Sequence, residues 1–120
     1  MRVAIFGNIT QGNVDFASFL PQGVTAILFN RGEYAGELAE KYADAHNIAK
    51  LGYPPQTYGS LKNRQLAAYK TLVEEAEFVA ILYTSYTESI RIARWNAMRR
   101  EIPYVVEHVS VKKCIEAAAR

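Results

Sequence analysis

Five short apolar runs, separated by segments of helical spacing, constrain the fold of this chain more than any other feature of its sequence. The runs cover residues 3–6, 24–29, 48–53, 78–83 and 102–106; the third is weaker and is closed by Pro54 and Pro55. They are rich in β-branched residues and nearly continuous, rather than alternating apolar with polar, which is the pattern of parallel strands covered on both faces. Between them, residues 34–46 place Ala35, Leu38, Ala39, Tyr42 and Ala43 on one stripe and Glu37, Glu40, Lys41 and Asp44 elsewhere. Residues 61–76 repeat the pattern with Leu66, Tyr69, Leu72, Val73 and Ala76, and residues 87–100 form a third helical segment. A shorter helix is expected over residues 14–20, ending near Pro21, and a terminal one over about 110–119. Strand–helix alternation through the whole length predicts βαβ units with right-handed crossovers. The expectation is one domain over residues 1–120: a three-layer, doubly wound, Rossmann-like α/β fold with a mostly parallel five-stranded sheet.

Composition narrows the function classes. At 120 residues, half of them apolar and 22% charged, the chain has ordinary globular composition and room for one core. A net charge of +2 is too small to signal a membrane surface or a nucleic-acid partner, and neither is expected. The single cysteine, Cys114, excludes an internal disulfide and a multi-thiolate zinc site. No metal-ligand spacing is present, and neither a metal nor a cofactor is expected. No apolar stretch reaches the roughly 18 residues of a membrane span, and no secretory leader opens the chain, so the expected location is cytoplasmic.

Open parallel sheets bind ligands outside the carboxyl ends of their strands, so four loops are of interest. The first, residues 7–12, offers Gly7, Asn8 and Thr10, which could present N–H groups and a hydroxyl to a phosphate; a tight turn with a helix cap at Thr10 or Asn13 explains them equally well. The second, residues 30–36, carries Asn30, Arg31, Gly32 and Tyr34. Arg31 could pair with an anionic group, and Gly32 could allow close backbone approach or simply hold a positive φ. Gly36 weakens the following helix unless something packs closely against it. The third loop leads through Ser60 to Lys62, Asn63 and Arg64. Cations at a helix start oppose its dipole unless an anion or an acidic neighbour offsets them. The fourth holds Thr84, Ser85, Thr87 and Ser89, more hydroxyls than capping needs.

Familiar catalytic sets are absent: there is no nucleophile elbow and no Walker loop. His46 and His108 read as surface or packing residues, and Asp15 is misplaced for a phosphoacceptor. Glu88 is a weak candidate for acid–base work, with Glu33 the one other carboxylate placed to serve.

The arrangement resembles the SLOG superfamily of Rossmann-like domains, which includes DNA-processing protein A and the LOG phosphoribohydrolases, and in particular its small stand-alone branch. The resemblance spans roughly residues 1–108. It is carried by the run from Val3 to Gly7, by residues 39–43, by Tyr58 and Gly59, by Asn63, Arg64, Gln65 and Leu66, by residues 76–80, and by Ile102 and Pro103. The Asn63–Arg64 pair is the most specific of these. The family's glycine motif after the second strand is altered here: Asn30, Arg31 and Tyr34 stand where glycines are usual, and Gly36 where an aspartate is usual. The resemblance implies a nucleotide-binding fold and carries over neither a ligand nor a catalytic set.

Three functions follow as expectations. The leading one is a domain that binds or senses a nucleotide or another small phosphate-bearing molecule. The first alternative is cleavage or transfer at an N-glycosidic bond, and the second is a degenerate interaction module, favoured if Tyr34 fills the pocket. A homodimer is also expected. Ile92 and Trp95 fall opposite the stripe of Ile90, Ala93 and Ala97, so Trp95 is a candidate anchor unless a terminal helix covers it.

Overall fold

The structure, a computed structural model, describes residues 1–109. The order is β1 (Arg2–Gly7), a 3-10 turn (Phe16–Ser18), β2 (Ala26–Asn30), α1 (Tyr34–Ala45), β3 (Ala49–Tyr53), α2 (Leu61–Glu75), β4 (Phe78–Tyr83), α3 (Glu88–Arg99) and β5 (Tyr104–His108). All strand pairs are parallel and the sheet order is β3-β2-β1-β4-β5. The chain therefore moves outward from β1 to β3, returns past β1, and continues on its other side. That reversal puts the topological switch between β1 and β4.

Reversal of direction also reverses the face on which a right-handed crossover lays its helix. One face of the sheet, through Val3, Ile5, Ile27, Phe29, Ala80 and Leu82, packs on α1 and on the β1–β2 connection. The other, through Ala4, Phe6, Leu28, Val79 and Ile81, packs on α2 and α3. β1 lies in the middle with Val3, Ala4, Ile5 and Phe6 fully buried, which explains why its sequence is apolar without a break. The helical stripes point inward as their spacing requires: Ala35, Ala39 and Ala43 on α1, Tyr69, Leu72 and Val73 on α2, and Ile90, Ala93 and Ala97 on α3.

The expected helix over residues 14–20 is reduced to the single 3-10 turn Phe16–Ser18. Its apolar residues do not form a stripe on a cylinder. Phe16 buries as a loop anchor between Phe19 and Tyr42, with ring centroids 5.9 and 5.2 Å away, and Val14, Phe19 and Leu20 pack around the same core. The expected terminal helix, and Cys114 with it, lie outside the described residues. No helix among the described residues is long and apolar enough to cross a membrane.

Candidate functional site

The carboxyl end of β1 is built around two residues. Gly7 lies opposite Leu82 in the β1–β4 register with φ +155°, and a Cβ there would stand 1.6 Å from the Leu82 carbonyl oxygen. Only glycine fits this approach. Asn8 then ties the two strand ends together. Its backbone N–H donates to Leu82 O (3.0 Å), its side-chain amide donates to Ser85 O (2.7 Å), and its Oδ1 accepts from Thr84 N (2.9 Å). Both polar groups of the Asn8 side chain are thus engaged in holding the first and fourth loops at the switch.

The Gly7 N–H points across the sheet edge to a carboxylate. Glu33, just before α1, folds back so that Oε1 accepts from Gly7 N (3.1 Å) and Oε2 accepts from the Tyr69 hydroxyl (3.0 Å). Tyr69 is 1% exposed on α2, its ring stacked on Phe6 with centroids 4.4 Å apart. The phenol that looks apolar in the helical stripe therefore has a polar partner, as a buried tyrosine needs. Burial raises the Glu33 pKa from its ordinary 4.5 to about 7, outweighing the Gly7, Tyr69 and Asn30 groups, each of which favours the ionised form. Burial, with Glu33 beside it, also holds the Tyr69 phenol well above its usual range. The Asn30 amide makes no hydrogen bond of good geometry, and its Nδ2 is buried without a partner.

Two adjoining hollows meet at Glu33, with Leu61 and Gln65 also common to both walls. The larger, of about 580 Å³, is lined further by Gly7, Asn8, Ile9, Thr10, Tyr34, Ser85 and Thr87. The smaller, of about 180 Å³, is lined by Asn30, Arg31, Gly32, Pro55, Gln56, Arg64 and Ala68. Arg64 Nε is a second buried nitrogen there without a partner, while the Arg31 side chain lies on the other face of the sheet, over Gly52 and beside Phe29. Tyr34 does not fill the larger hollow: it lies along the wall and donates from its hydroxyl to Gly12 O at 2.5 Å, fastening the β1–β2 loop to α1. Gly36 carries the close contact that its place in the helix demands, since a Cβ there would meet the Asn30 carbonyl oxygen at 2.1 Å.

Most of the residues singled out from sequence thus come together. Gly7, Asn8, Thr10, Tyr34, Ser85 and Thr87 surround the larger hollow, and Asn30, Arg31, Gly32 and Arg64 the smaller. Asn63 and Thr84 line neither. The Asn63 N–H donates to the Ser60 hydroxyl at 3.2 Å, so Ser60 is the cap of α2, and Thr84 meets Asn8. Thr87 caps α3, accepting from Ile90 N at 3.5 Å. An acidic neighbour does offset Lys62 at the start of α2: Glu88 pairs with it and, at 3.8 Å, with Arg91. The Lys62 ammonium holds the exposed Glu88 carboxylate below its usual range, leaving it a poor proton donor. His46 and His108 pack at a tilt against Tyr42 and Tyr83 and line neither hollow. Among the described residues, no group of three or more His, Cys, Asp or Glu side chains is arranged to hold a metal ion.

Sequence reasoning missed Tyr69, Leu61 and Gln65, and ranked Glu33 behind Glu88. The one signal for the Glu33–Tyr69 pair was a tyrosine inside an otherwise aliphatic stripe, whose hydroxyl had to meet something. No family model matches the chain, and no curated protein or solved structure is significantly similar to it.

Proposed function

We propose that the cleft at the β1–β4 switch binds a small phosphate-bearing molecule with a hydroxylated body, of which a nucleotide is the leading case. The observation that carries this reading is the meeting, at one sheet edge, of a half-buried carboxyl with two buried donors that make no hydrogen bond of good geometry, Asn30 Nδ2 and Arg64 Nε. Buried polar groups are nearly always paired in a finished structure, and a pair of exceptions in one hollow marks a place for an acceptor. The larger hollow falls within the size of ordinary small-molecule sites and presents Thr10, Ser85 and Thr87 beside Glu33, suited to sugar hydroxyls. Membership of the SLOG superfamily belongs to the same proposal and supplies nucleotides as the first ligands to try. The test is thermal denaturation against a panel of nucleotides and sugar phosphates. A true ligand at about 100 times its Kd stabilises by roughly 2.7 kcal/mol, and Arg64→Gln weakens the effect. A panel without one stabilising member contradicts the proposal.

A second reading, cleavage or transfer at an N-glycosidic bond, is favoured by one observation: the Glu33 carboxyl titrates near neutrality inside the cleft, as a general acid or base should. Release of free base from nucleoside monophosphates, lost in Glu33→Gln and retained in Glu88→Gln, is its signature. Self-association is a separate proposal. Trp95 is 51% exposed with the Arg99 guanidinium 4.8 Å from its ring, and Met98 beside it is 52% exposed. A dimeric wild type that becomes monomeric in Trp95→Glu on size exclusion bears this out; an unchanged elution volume removes Trp95 as the anchor. Residence in the cytoplasm remains part of the same reading.

A further inference from the structure

The position at which a Rossmann-like sheet offers backbone N–H groups to a ligand's phosphate, the end of its first strand, is already taken in this protein. Gly7 N donates to the Glu33 carboxyl, and a second anion there would face that carboxylate. The β1–β2 connection supplies no α-helix start either, only the 3-10 turn Phe16–Ser18. The smaller hollow has the opposite character. Asn30 is 6% exposed and lines it, its amide beside Glu33 without a hydrogen bond of good geometry, and Arg64 lines it with a buried, unpartnered Nε. We infer that the smaller hollow is an oxyanion subsite, in which a phosphate or related group accepts from Asn30 Nδ2 and Arg64 Nε, and that filling it draws a proton onto Glu33. This inference rests on the cleft's being a site for an anion-bearing small molecule, and it fixes where the anion goes.

The proton follows from the shared wall. Glu33 borders the same hollow, so an arriving anion and the carboxylate repel each other in a poorly solvated space. Protonated, the same carboxyl becomes a donor. The charged and titratable groups around it are few. Tyr69 on α2 is held neutral by burial, the Tyr34 hydroxyl on α1 is committed to Gly12 O, the Asn30 amide on β2 is uncharged, and Arg64 favours the anion itself. Lys62 and Glu88 satisfy each other. On the β1 side stands only the neutral Gly7 N–H.

Sulfate is the appropriate probe because, unlike phosphate, it keeps its double charge through neutral pH. NMR titration of the full chain with sulfate should move the Asn30 side-chain amide and Arg64 Nε–H signals. If only the protonated form binds, and Glu33 titrates at about 7, affinity at pH 6 should exceed that at pH 8 by about tenfold. Glu33→Gln should bind as tightly as wild type at pH 6 with no pH dependence, and Arg64→Gln, its spectrum otherwise native, should lose about tenfold or more in affinity. Sulfate that moves Asn8 and Thr10 backbone amides but neither side chain overturns the inference. So do equal affinities at the two pH values, undiminished binding in Arg64→Gln, or no binding at all. Nucleotides that stabilise the protein without this sulfate pattern leave the proposed function standing and the subsite wrong. The sulfate pattern without any stabilising nucleotide does the reverse.

Discussion

Two glutamates stand at the same edge of the sheet, each at the start of a helix, and their surroundings drive them in opposite directions. Glu88 opens α3, exposed, with Lys62 and Arg91 on either side, and its carboxylate is held in the ionised form. Glu33 precedes α1, turned under the loop toward Gly7 and Tyr69, and its carboxyl is pushed up to about 7 by burial. Residue type and distance from a strand end are nearly the same in the two cases. What differs is whether the side chain meets a cation in water or neutral donors in a cleft. The candidate site's raised carboxyl therefore lies on the α1–α2 side of the switch, while Ser85 and Thr87 from the α3 side line the larger hollow.

The harshest way to break this comparison is at Gly7. Gly7→Ala forces a Cβ onto the Leu82 carbonyl, separates the β1 and β4 ends, and dislodges the N–H that Glu33 accepts from. Urea unfolding should show a loss of about 3 kcal/mol or more, the upper range for overpacking. Next is the pH dependence of Glu33 itself. Its folded pKa lies above the unfolded 4.5, so the folded state binds more protons between the two values. Stability is fully present at lower pH and is lost as pH rises from about 4.5 through about 7. Roughly 2–3 kcal/mol should disappear across that window after allowing for partial solvent contact, and Glu33→Gln should lack this slope. Tyr69→Phe keeps the stack on Phe6 but removes one donor to the carboxylate, so above pH 7 it should cost about 1–2 kcal/mol and move the Glu33 midpoint upward. Smallest is Glu88→Gln, which should leave both the urea midpoint and the Glu33 titration where they are, since exposed ion pairs contribute little.

The inner strands were legible because burial on both faces writes itself into sequence as unbroken apolar runs, whereas β3 at one edge is largely exposed. β4 matches its apolar run end to end, Phe78–Tyr83. β5 does not. Pro103 has no N–H to give and the Ile102 N–H is used to end α3 on Ala97 O, so pairing begins at Tyr104 and extends through the polar Glu107 and His108 of an edge strand. The segment around Phe16 misled because apolar residues that anchor a loop have the same composition as a short amphipathic helix. The place of the candidate site was legible, since topology alone brings the four loops to one edge. The contact between Glu33 and Tyr69 was not. Glu33 and Tyr69 are 36 positions apart, and nothing local to either residue says that the loop after β2 folds back over β1.

The central claim is that Glu33 is a half-buried carboxyl that ionises near neutrality within the cleft. Carbon-detected NMR of the glutamate carboxyl groups through a pH titration tests it directly, with the Gly7 amide proton as an independent reporter of the same event. The Glu33 midpoint should fall near 7 and be matched by that of Gly7, while Glu88 titrates below the ordinary 4.5. A Glu33 midpoint at or below the ordinary 4.5, with no response from Gly7 near neutral pH, would contradict the account.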